Sequence, residues 1–164
     1  MGARYRAGSY DRRVRIVLQR VSRASVSVEG REVGRIALGL LLLVGVELDD
    51  DEATCDRLAA KVARLRLFAG DGGPFDLSVR DVHGEALVVS QFTLMGDVRR
   101  GNRPSWAGAA RPEQAEPLVE HFARALEAEG VPVATGRFGA HMDVHLVNDG
   151  PVTLVIDSGG PKGL

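Results

Sequence analysis

Leu40-Leu41-Leu42-Leu43-Val44-Gly45-Val46 is an unbroken apolar run. A run of this kind, without polar alternation, is typical of a strand that is buried on both faces of a sheet. Even when it is extended back to Leu38, it contains two glycines and falls far short of the roughly 20 apolar residues that a membrane-spanning helix needs. It therefore predicts the centre of a folded core and no membrane segment.

The segments around this run predict a domain of strands and helices. Arg15–Val21 alternates between apolar and polar residues, and Glu29-Gly30-Arg31 is a hairpin signal between Ser25–Val28 and Val33–Ile36. Gly70–Pro74 is expected to be a turn. Further strands are expected at Glu85–Ser90, Val131–Thr135, Asp143–Val147 and Val152–Asp157.

Two helices separate these strands. One is expected to follow the capping residues Asp49–Asp51, with Leu58 and Val62 on its apolar face. The second is expected to begin at Pro112 and to stop at Gly130. The predicted fold class is α+β, a compact barrel-like domain with a largely antiparallel β-sheet and two main helices.

Composition narrows the possible classes of protein. The 164 residues fit one domain, and a net charge of −1 gives no global field that would attract nucleic acid. A nucleic-acid partner would need a local basic patch, and composition alone favours ordinary solvated arginines. The lone Cys55 excludes an intrachain disulfide, and the N-terminal residues lack the pattern of a signal peptide, so the expected address is cytoplasmic. Residues 1–13 are expected to be a disordered extension, 14–158 the domain and 159–164 a flexible tail.

Small polar residues interrupt two apolar segments. Ser90-Gln91-Phe92-Thr93 follows the strand-like Leu87-Val88-Val89, and Asn148-Asp149-Gly150-Pro151 precedes the strand-like Thr153-Leu154-Val155-Ile156. Buried hydroxyl and amide groups are costly without partners, and a Gly-Pro step fixes an unusual backbone path. Taken separately, the motifs favour structural explanations: strand-end capping for Ser90 and Thr93, and an ordinary turn for Gly150-Pro151.

The common catalytic patterns are missing from the sequence. There is no phosphate-binding loop, no nucleophile elbow and no paired cysteine motif for zinc. His141 and His145 are four residues apart, but a strand would hold them roughly 13 Å apart, so neither a metal nor another cofactor is expected. Ser90 and Thr93 would be nucleophiles only if a base activated them, and no such base is evident.

Together, however, these motifs resemble the bacterial and eukaryotic D-aminoacyl-tRNA deacylases. The resemblance runs from about Val14 to Ser158 and includes the two polar motifs, Ser90–Thr93 and Asn148–Thr153. It also covers the stretches QRVSRA (19–24), LLLVGVE (41–47), RPS (103–105) and GVPVATGRFGAHM (130–142). At Trp106 the family more often has phenylalanine.

The resemblance implies a homodimer whose active sites lie at the subunit interface. Gly150-Pro151 of one subunit, with its peptide bond cis, would reach into the site of the other and reject L-amino acids through its backbone. Ser90, Gln91, Phe92 and Thr93 would form the opposite wall, with N–H groups near Gln91 and Phe92 as an oxyanion hole. Thr93 would position the substrate while a water attacks, assisted by the 2′-OH of the terminal ribose.

The resemblance also implies roles for the remaining site residues. Arg20 would brace the Gly-Pro loop, Met142 would line a pocket for the terminal adenosine, and Asn148 and Thr153 would support the site. Arg99, Arg100 and Arg103 would contact phosphates. The implied reaction is hydrolysis of the ester of D-aminoacyl-tRNA, and of glycine mischarged on tRNA, at the acceptor end.

Two other functions remain open on the residues alone. A tRNA-binding module without catalysis would use the polar strand ends only to grip the acceptor end. A serine or threonine hydrolase of a small ester or amide would form a covalent intermediate at Ser90 or Thr93 and would need no dimer.

Overall fold

The computed structural model describes residues 14–159, so the expected extension 1–13 and the tail beyond Gly159 lie outside the described residues. The strands are β1 (Arg15–Val28), β2 (Arg31–Ile36), β3 (Gly39–Gly45), β4 (Arg66–Gly70), β5 (Gly73–Ser78), β6 (Glu85–Ser90), β7 (Val133–Thr135) and β8 (Asp143–Asp157). The helices are α1 (Glu52–Arg64), α2 (Pro112–Ala128) and a short 3-10 helix (Phe92–Met95).

The long strand β1 organises the main sheet of six strands. It pairs antiparallel with β2, β3 and β8. Strand β6 pairs parallel with both β3 and β7, so the sheet is mixed rather than uniformly antiparallel. Strands β2 and β7 approach each other, because a Cβ on Gly34 would lie 2.5 Å from the carbonyl oxygen of Thr135. This approach nearly closes the sheet and confirms the barrel-like prediction.

The central apolar run is buried on both faces, as the sequence predicts. Leu40 and Leu42 of β3 join the core that α1 and α2 cover, whereas Leu41 joins the smaller core inside the curved sheet. Each fully buried leucine contributes about 1.5–3 kcal/mol to stability relative to an exposed one. Because alternate residues of β3 serve two cores, a polar substitution at Leu40, Leu41 or Leu42 would disrupt one of them.

The two predicted helices are present. The Asp51 side chain caps α1 by accepting hydrogen bonds from the N–H of Thr54 (2.8 Å) and from its hydroxyl (2.7 Å). Helix α2 begins with Pro112 in its first turn and ends at Ala128. Gly130 follows with a φ of +89°, a conformation that suits glycine after a helix.

The structure differs from the sequence prediction in three places. The segments 15–21 and 25–28, which are expected as separate strands, form the single long strand β1. The two strands expected at 143–147 and 152–157 form one strand, β8, whose pairing register with β1 shifts around Gly150-Pro151. Gly70–Pro74 is more than a turn, because it lies within the hairpin of β4 and β5. Glycine and proline in these segments obscure the alternation from which a strand is recognised.

Candidate active site

A cavity of about 550 Å³ lies at the end of β6, beside the start of α2. Ser90, Gln91 and Phe92 line it on one side and Met142 lines it on another. The structure therefore brings together three residues of the first polar motif and the methionine that the sequence assigned to an adenosine pocket. Alanines of the loop before α2 and of α2 itself complete an apolar wall that the sequence analysis did not single out (Ala109, Ala110 and Ala115).

Thr93 lies outside the set of residues that line this cavity. Its side chain is exposed in the 3-10 helix, and its Oγ1 accepts a hydrogen bond from the Nε2 of Gln91. A carboxamide cannot remove a proton from a hydroxyl at neutral pH. The local geometry thus positions the Thr93 hydroxyl without activating it.

The backbone at the end of β6 corrects one expectation. The N–H of Gln91 donates to the carbonyl of Val44 at 2.8 Å, so it is committed to the sheet and cannot serve an oxyanion. The N–H of Phe92, at the start of the 3-10 helix, has no recorded partner among residues 14–159. Of the two N–H groups that the resemblance implies for an oxyanion hole, the one of Gln91 is thus bonded within the sheet, and the role of Phe92 stays a prediction.

An aromatic pair forms the rim of the cavity. The rings of Phe92 and Trp106 meet edge to face, with centroids 5.3 Å apart and planes at 74°. Gly96 makes room for the indole, since a Cβ there would lie 2.6 Å from Trp106. Both rings are substantially exposed, at 54% for Phe92 and 41% for Trp106. Sequence reasoning noted Trp106 only as a packing difference, although an exposed aromatic beside a polar motif is a recognisable signal.

The second motif forms an exposed bulge in β8. The peptide bond between Gly150 and Pro151 is cis, as the resemblance implies, and Gly150 has a φ of +129°. Asn148 holds the base of the bulge by donating to the carbonyls of Arg20 (2.9 Å) and Val152 (3.0 Å). Thr153 accepts from the Nε2 of Gln19 at 3.2 Å. Asn148 and Thr153 therefore support the loop and do not line the cavity.

Arg20 lies directly against this bulge. Its Nε donates to the carbonyl of Asp149 at 3.1 Å, and its Nη1 donates to the carbonyl of Leu67 at 2.6 Å. Its Nε also lies 3.4 Å from the Asp149 carboxylate. One guanidinium thus ties the bulge to β4, at the place where the sequence expected a brace.

The two motifs are far apart within one chain. Ser90 lies level with Val44 of β3, which pairs with Ile16 of β1. The bulge lies opposite Arg20, further along β1 and on its other side. Along β1, the four residues from Ile16 to Arg20 span about 13 Å. Across the sheet, the three steps from β6 through β3 and β1 to β8 span about 14 Å, and the two spans together give a separation of roughly 20 Å. By this estimate, the two motifs of one chain lie on different parts of the sheet.

The predicted phosphate-binding arginines lie on an exposed loop that continues from the 3-10 helix. Paired backbone hydrogen bonds between Asp97 and Ser105 (2.8 and 2.9 Å) close the loop. Arg99 donates to the Asp97 carboxylate, and these hydrogen bonds hold the pKa of Asp97 well below its usual range. Arg100 and Arg103 are exposed.

An apolar row crosses the open side of the sheet. Val17 pairs with Leu43 of β3 on one side and with Val155 of β8 on the other, so the three side chains share a face. Val155 is 68% exposed. Strand β8 pairs with β1 alone within the described residues, so its outer edge is open.

No group of three or more metal-binding side chains is arranged as a metal site within residues 14–159. In the same part of the chain, neither helix has the length and hydropathy required to cross a bilayer.

Comparison with known proteins identifies the family. The family described as D-Tyr-tRNA(Tyr) deacylase matches residues 17–157. The chain belongs to this family. A D-aminoacyl-tRNA deacylase of Thermomicrobium roseum is 59% identical over 150 residues, which cover 92% of this chain and 97% of that protein. The expectation that the chain is an enzyme, a D-aminoacyl-tRNA deacylase that hydrolyses an ester, is thereby confirmed.

Two solved structures share this fold. A c-Myc DNA Unwinding Element Binding Protein superposes with a TM-score of 0.82 at 38% identity, covering 89% of this chain and 99% of that one. A probable eukaryotic D-amino acid tRNA deacylase superposes with a TM-score of 0.78 at 16% identity, covering 88% and 99%. The predicted fold class, two helices on a barrel-like sheet, is confirmed.

Proposed function

We propose that this deacylase hydrolyses D-aminoacyl-tRNA, and glycine mischarged on tRNA, at a site built by two copies of the chain. One copy supplies Ser90–Thr93 and the cavity beside them. The other copy supplies Gly150-Pro151. The observation that carries the proposal is the strand register, from which the two motifs are estimated to lie roughly 20 Å apart within one chain.

The surface between the motifs supports a homodimer. The apolar row of Val17, Leu43 and Val155 lies on the same sheet as both motifs, and Val155 is largely exposed in the isolated chain. Exposed apolar rows of this kind are typical of surfaces that a partner covers. A two-fold axis through this face would make each copy contribute the same surface, so two equivalent sites would result.

Selection against L-amino acids is assigned to the backbone of the bulge. Gly150 and Pro151 are exposed, and Arg20 and Asn148 fix the loop from behind. A rigid backbone wall would collide with the side chain of an L-residue but not with that of a D-residue. Because nothing recognises the D side chain itself, many D-amino acids and glycine would be accepted.

The chemical step uses a water molecule rather than a protein nucleophile. The water oxygen attacks the ester carbonyl carbon, and the bond between that carbon and the ribose oxygen breaks, which releases the free amino acid and the tRNA. The N–H of Phe92 would stabilise the negative charge on the carbonyl oxygen. The 2′-OH of the terminal ribose would assist the transfer of a proton from the attacking water to the ribose oxygen that leaves, and Thr93 would position the ester.

The surroundings of the cavity fit the acceptor end of a tRNA. Met142 and the aromatic rim of Phe92 and Trp106 would hold the terminal adenosine, since bases stack readily on aromatic side chains. Arg99, Arg100 and Arg103 would contact the preceding phosphates. Because its substrate is charged tRNA, the enzyme is assigned to the cytoplasm.

Incubation of the protein with D-Tyr-tRNA and L-Tyr-tRNA in separate reactions tests this function. We expect loss of the D-ester alone. Equal hydrolysis of both esters would contradict the assigned selectivity. Salt-dependent tRNA binding without hydrolysis would instead indicate a binding module. Covalent labelling of Ser90 or Thr93 by an acylating probe would indicate a nucleophilic hydrolase.

A further inference from the structure

A basic groove lies where β2, β1 and β8 run side by side. Its volume is about 840 Å³. Arg23, Arg35 and His145 line it, together with the hydroxyl-bearing Ser22 and Ser25. Within residues 14–159, no aspartate or glutamate lines the groove. In a chain with a net charge of −1, two arginines in one cavity without an acid form a local concentration of positive charge.

The strand register brings these side chains onto one face of the sheet. Ser25 of β1 pairs with Arg35 of β2 on one side and with His145 of β8 on the other. Directly paired residues have Cβ atoms about 4.5–5.5 Å apart. Arg23 lies two residues along β1 from Ser25, about 7 Å away and on the same face. The four side chains can therefore converge on a single ligand group.

The groove and the apolar row lie on opposite faces of the sheet. Leu43 of that row packs against the smaller core. Ala24 and Val26 of β1 also point into the smaller core, so Arg23 and Ser25, which alternate with them, face away from it. A second copy of the chain that covers the apolar row would therefore leave the groove open.

The donors of the groove are available to a ligand. Within residues 14–159, the side chains of Arg23 and His145 form no hydrogen bond or ion pair. The Arg35 side chain is 72% exposed, and its Nη2 lies 2.9 Å from the Glu32 carboxylate. Its other two nitrogens have no partner in the same part of the chain.

The next row of the same face is acidic and gives the groove a direction. Ser27 pairs with Glu32 of β2 and with Asp143 of β8. Because carboxylates repel an anion, an anionic ligand is expected toward Arg23, at the end of the groove that lies away from this row.

We propose that this groove binds a phosphate group of the tRNA acceptor stem while the esterified 3′ end of the same tRNA occupies the catalytic cavity, an inference that rests on the function proposed above. Guanidinium groups match phosphate oxygens with two parallel hydrogen bonds, and the hydroxyls of Ser22 and Ser25 can donate further ones. Val144 lines both the groove and the catalytic cavity, so one residue of β8 borders both sites. The substrate of the enzyme is itself the polyanion that such a groove would meet.

Binding of uncharged tRNA tests the groove without requiring hydrolysis. The Kd is compared for the wild type, Arg23→Ala, Arg23→Lys and Arg57→Ala. Arg57 is the matched control, because it is an exposed arginine on α1 that does not line the groove. We expect Arg23→Ala to raise the Kd about tenfold, Arg23→Lys to raise it less, and Arg57→Ala to leave it unchanged. An equal rise for Arg23→Ala and Arg57→Ala, or no rise for Arg23→Ala, would overturn the proposal.

Treatment of the tRNA with a phosphatase distinguishes two sources of the phosphate. If the wild type binds treated and untreated tRNA equally and Arg23→Ala weakens the binding of both, the groove holds a phosphodiester of the stem. If removal of the 5′-terminal phosphate raises the Kd of the wild type but not that of Arg23→Ala, the groove holds the terminal phosphate.

Two further readouts separate a phosphate contact from a structural role. The slope of log Kd against log salt concentration should decrease in magnitude by about one in Arg23→Ala. With D-Tyr-tRNA, Arg23→Ala should raise KM and leave kcat unchanged, because the groove does not touch the ester. A lower kcat with an unchanged KM would show that Arg23 acts on the catalytic site and would overturn the proposal. If the wild type failed to hydrolyse D-Tyr-tRNA, the proposed function would fail, whereas the Kd comparison would still decide for or against the groove.

Discussion

The guanidinium of Arg20 lies so close to Gly150 that no side chain fits between them. A Cβ on Gly150 would lie 2.8 Å from the Nη2 of Arg20 and 3.0 Å from the Val152 side chain. Gly150 also has a φ of +129°, in a region that side chains other than hydrogen rarely allow. The positive φ therefore favours glycine at this position, and any side chain would also have to displace the guanidinium of Arg20.

Gly150→Ala should displace the bulge and weaken the selectivity for D-esters. The strained backbone and the contact with Arg20 together should cost about 1–3 kcal/mol of folding free energy. Gly30→Ala is the matched control, because Gly30 also has a positive φ (+75°) but has no atom within 4 Å of the added Cβ. We expect both variants to lose stability, measured by urea unfolding. Only Gly150→Ala should lose the preference for D-Tyr-tRNA over L-Tyr-tRNA, measured as the ratio of the two hydrolysis rates.

Thr93→Ala should leave most of the deacylase activity. The hydroxyl is exposed and its recorded partner is the amide of Gln91, so it lacks the base that a nucleophile needs. We expect a decrease of about tenfold or less in the single-turnover rate, whereas loss of a true nucleophile costs roughly 10⁴-fold or more. A decrease of the larger size in a folded variant would show that Thr93 attacks the ester.

Cys55 should not react with thiol reagents in the native protein. The thiol is fully buried under α2, and burial raises its pKa to about 12. Since the thiolate is the reactive form, labelling at pH 8 should require unfolding of the chain. The labelling rate should therefore rise with urea in parallel with the unfolded fraction. Rapid labelling without urea would contradict the described burial of α1 against α2.

Val155→Glu should break the dimer without unfolding the chain. The side chain is 68% exposed in the single chain, so a carboxylate there costs little in a monomer but is costly inside an interface. Val98→Glu is the control, because Val98 is 70% exposed on the arginine loop, away from the apolar row. Sedimentation should show monomers for the first variant and dimers for the second. Dimers in both would place the interface elsewhere.

Much of this architecture is readable from the sequence because its signals are local. The unbroken run at Leu40–Val46, the cap at Asp51 and the proline at 112 each act within a few residues. The hairpin of β4 and β5 was missed because Gly70, Gly72 and Gly73 hide its alternation. The continuity of β8 was missed for a related reason, since only pairing with β1 keeps the strand together across Gly150-Pro151.

The site was predicted less completely than the fold. The motifs assign Ser90–Phe92 and Met142 to the site, and in the structure these residues line one cavity. They could not show that the Gln91 N–H is committed to Val44, because that bond depends on the parallel register of β3 and β6. The roles of the individual residues in catalysis stay predictions.

The central claim is that Ser90–Thr93 and Gly150-Pro151 act together only across two copies of the chain. Two variants test it most directly: Ser90→Phe, which fills the cavity, and Pro151→Trp, which blocks the exposed bulge. Each homodimer should be inactive on D-Tyr-tRNA. A mixed dimer, purified through two different tags, would contain one site free of both changes and should hydrolyse D-Tyr-tRNA at about half the wild-type rate per dimer. A mixed dimer as inactive as its parents would contradict the shared site.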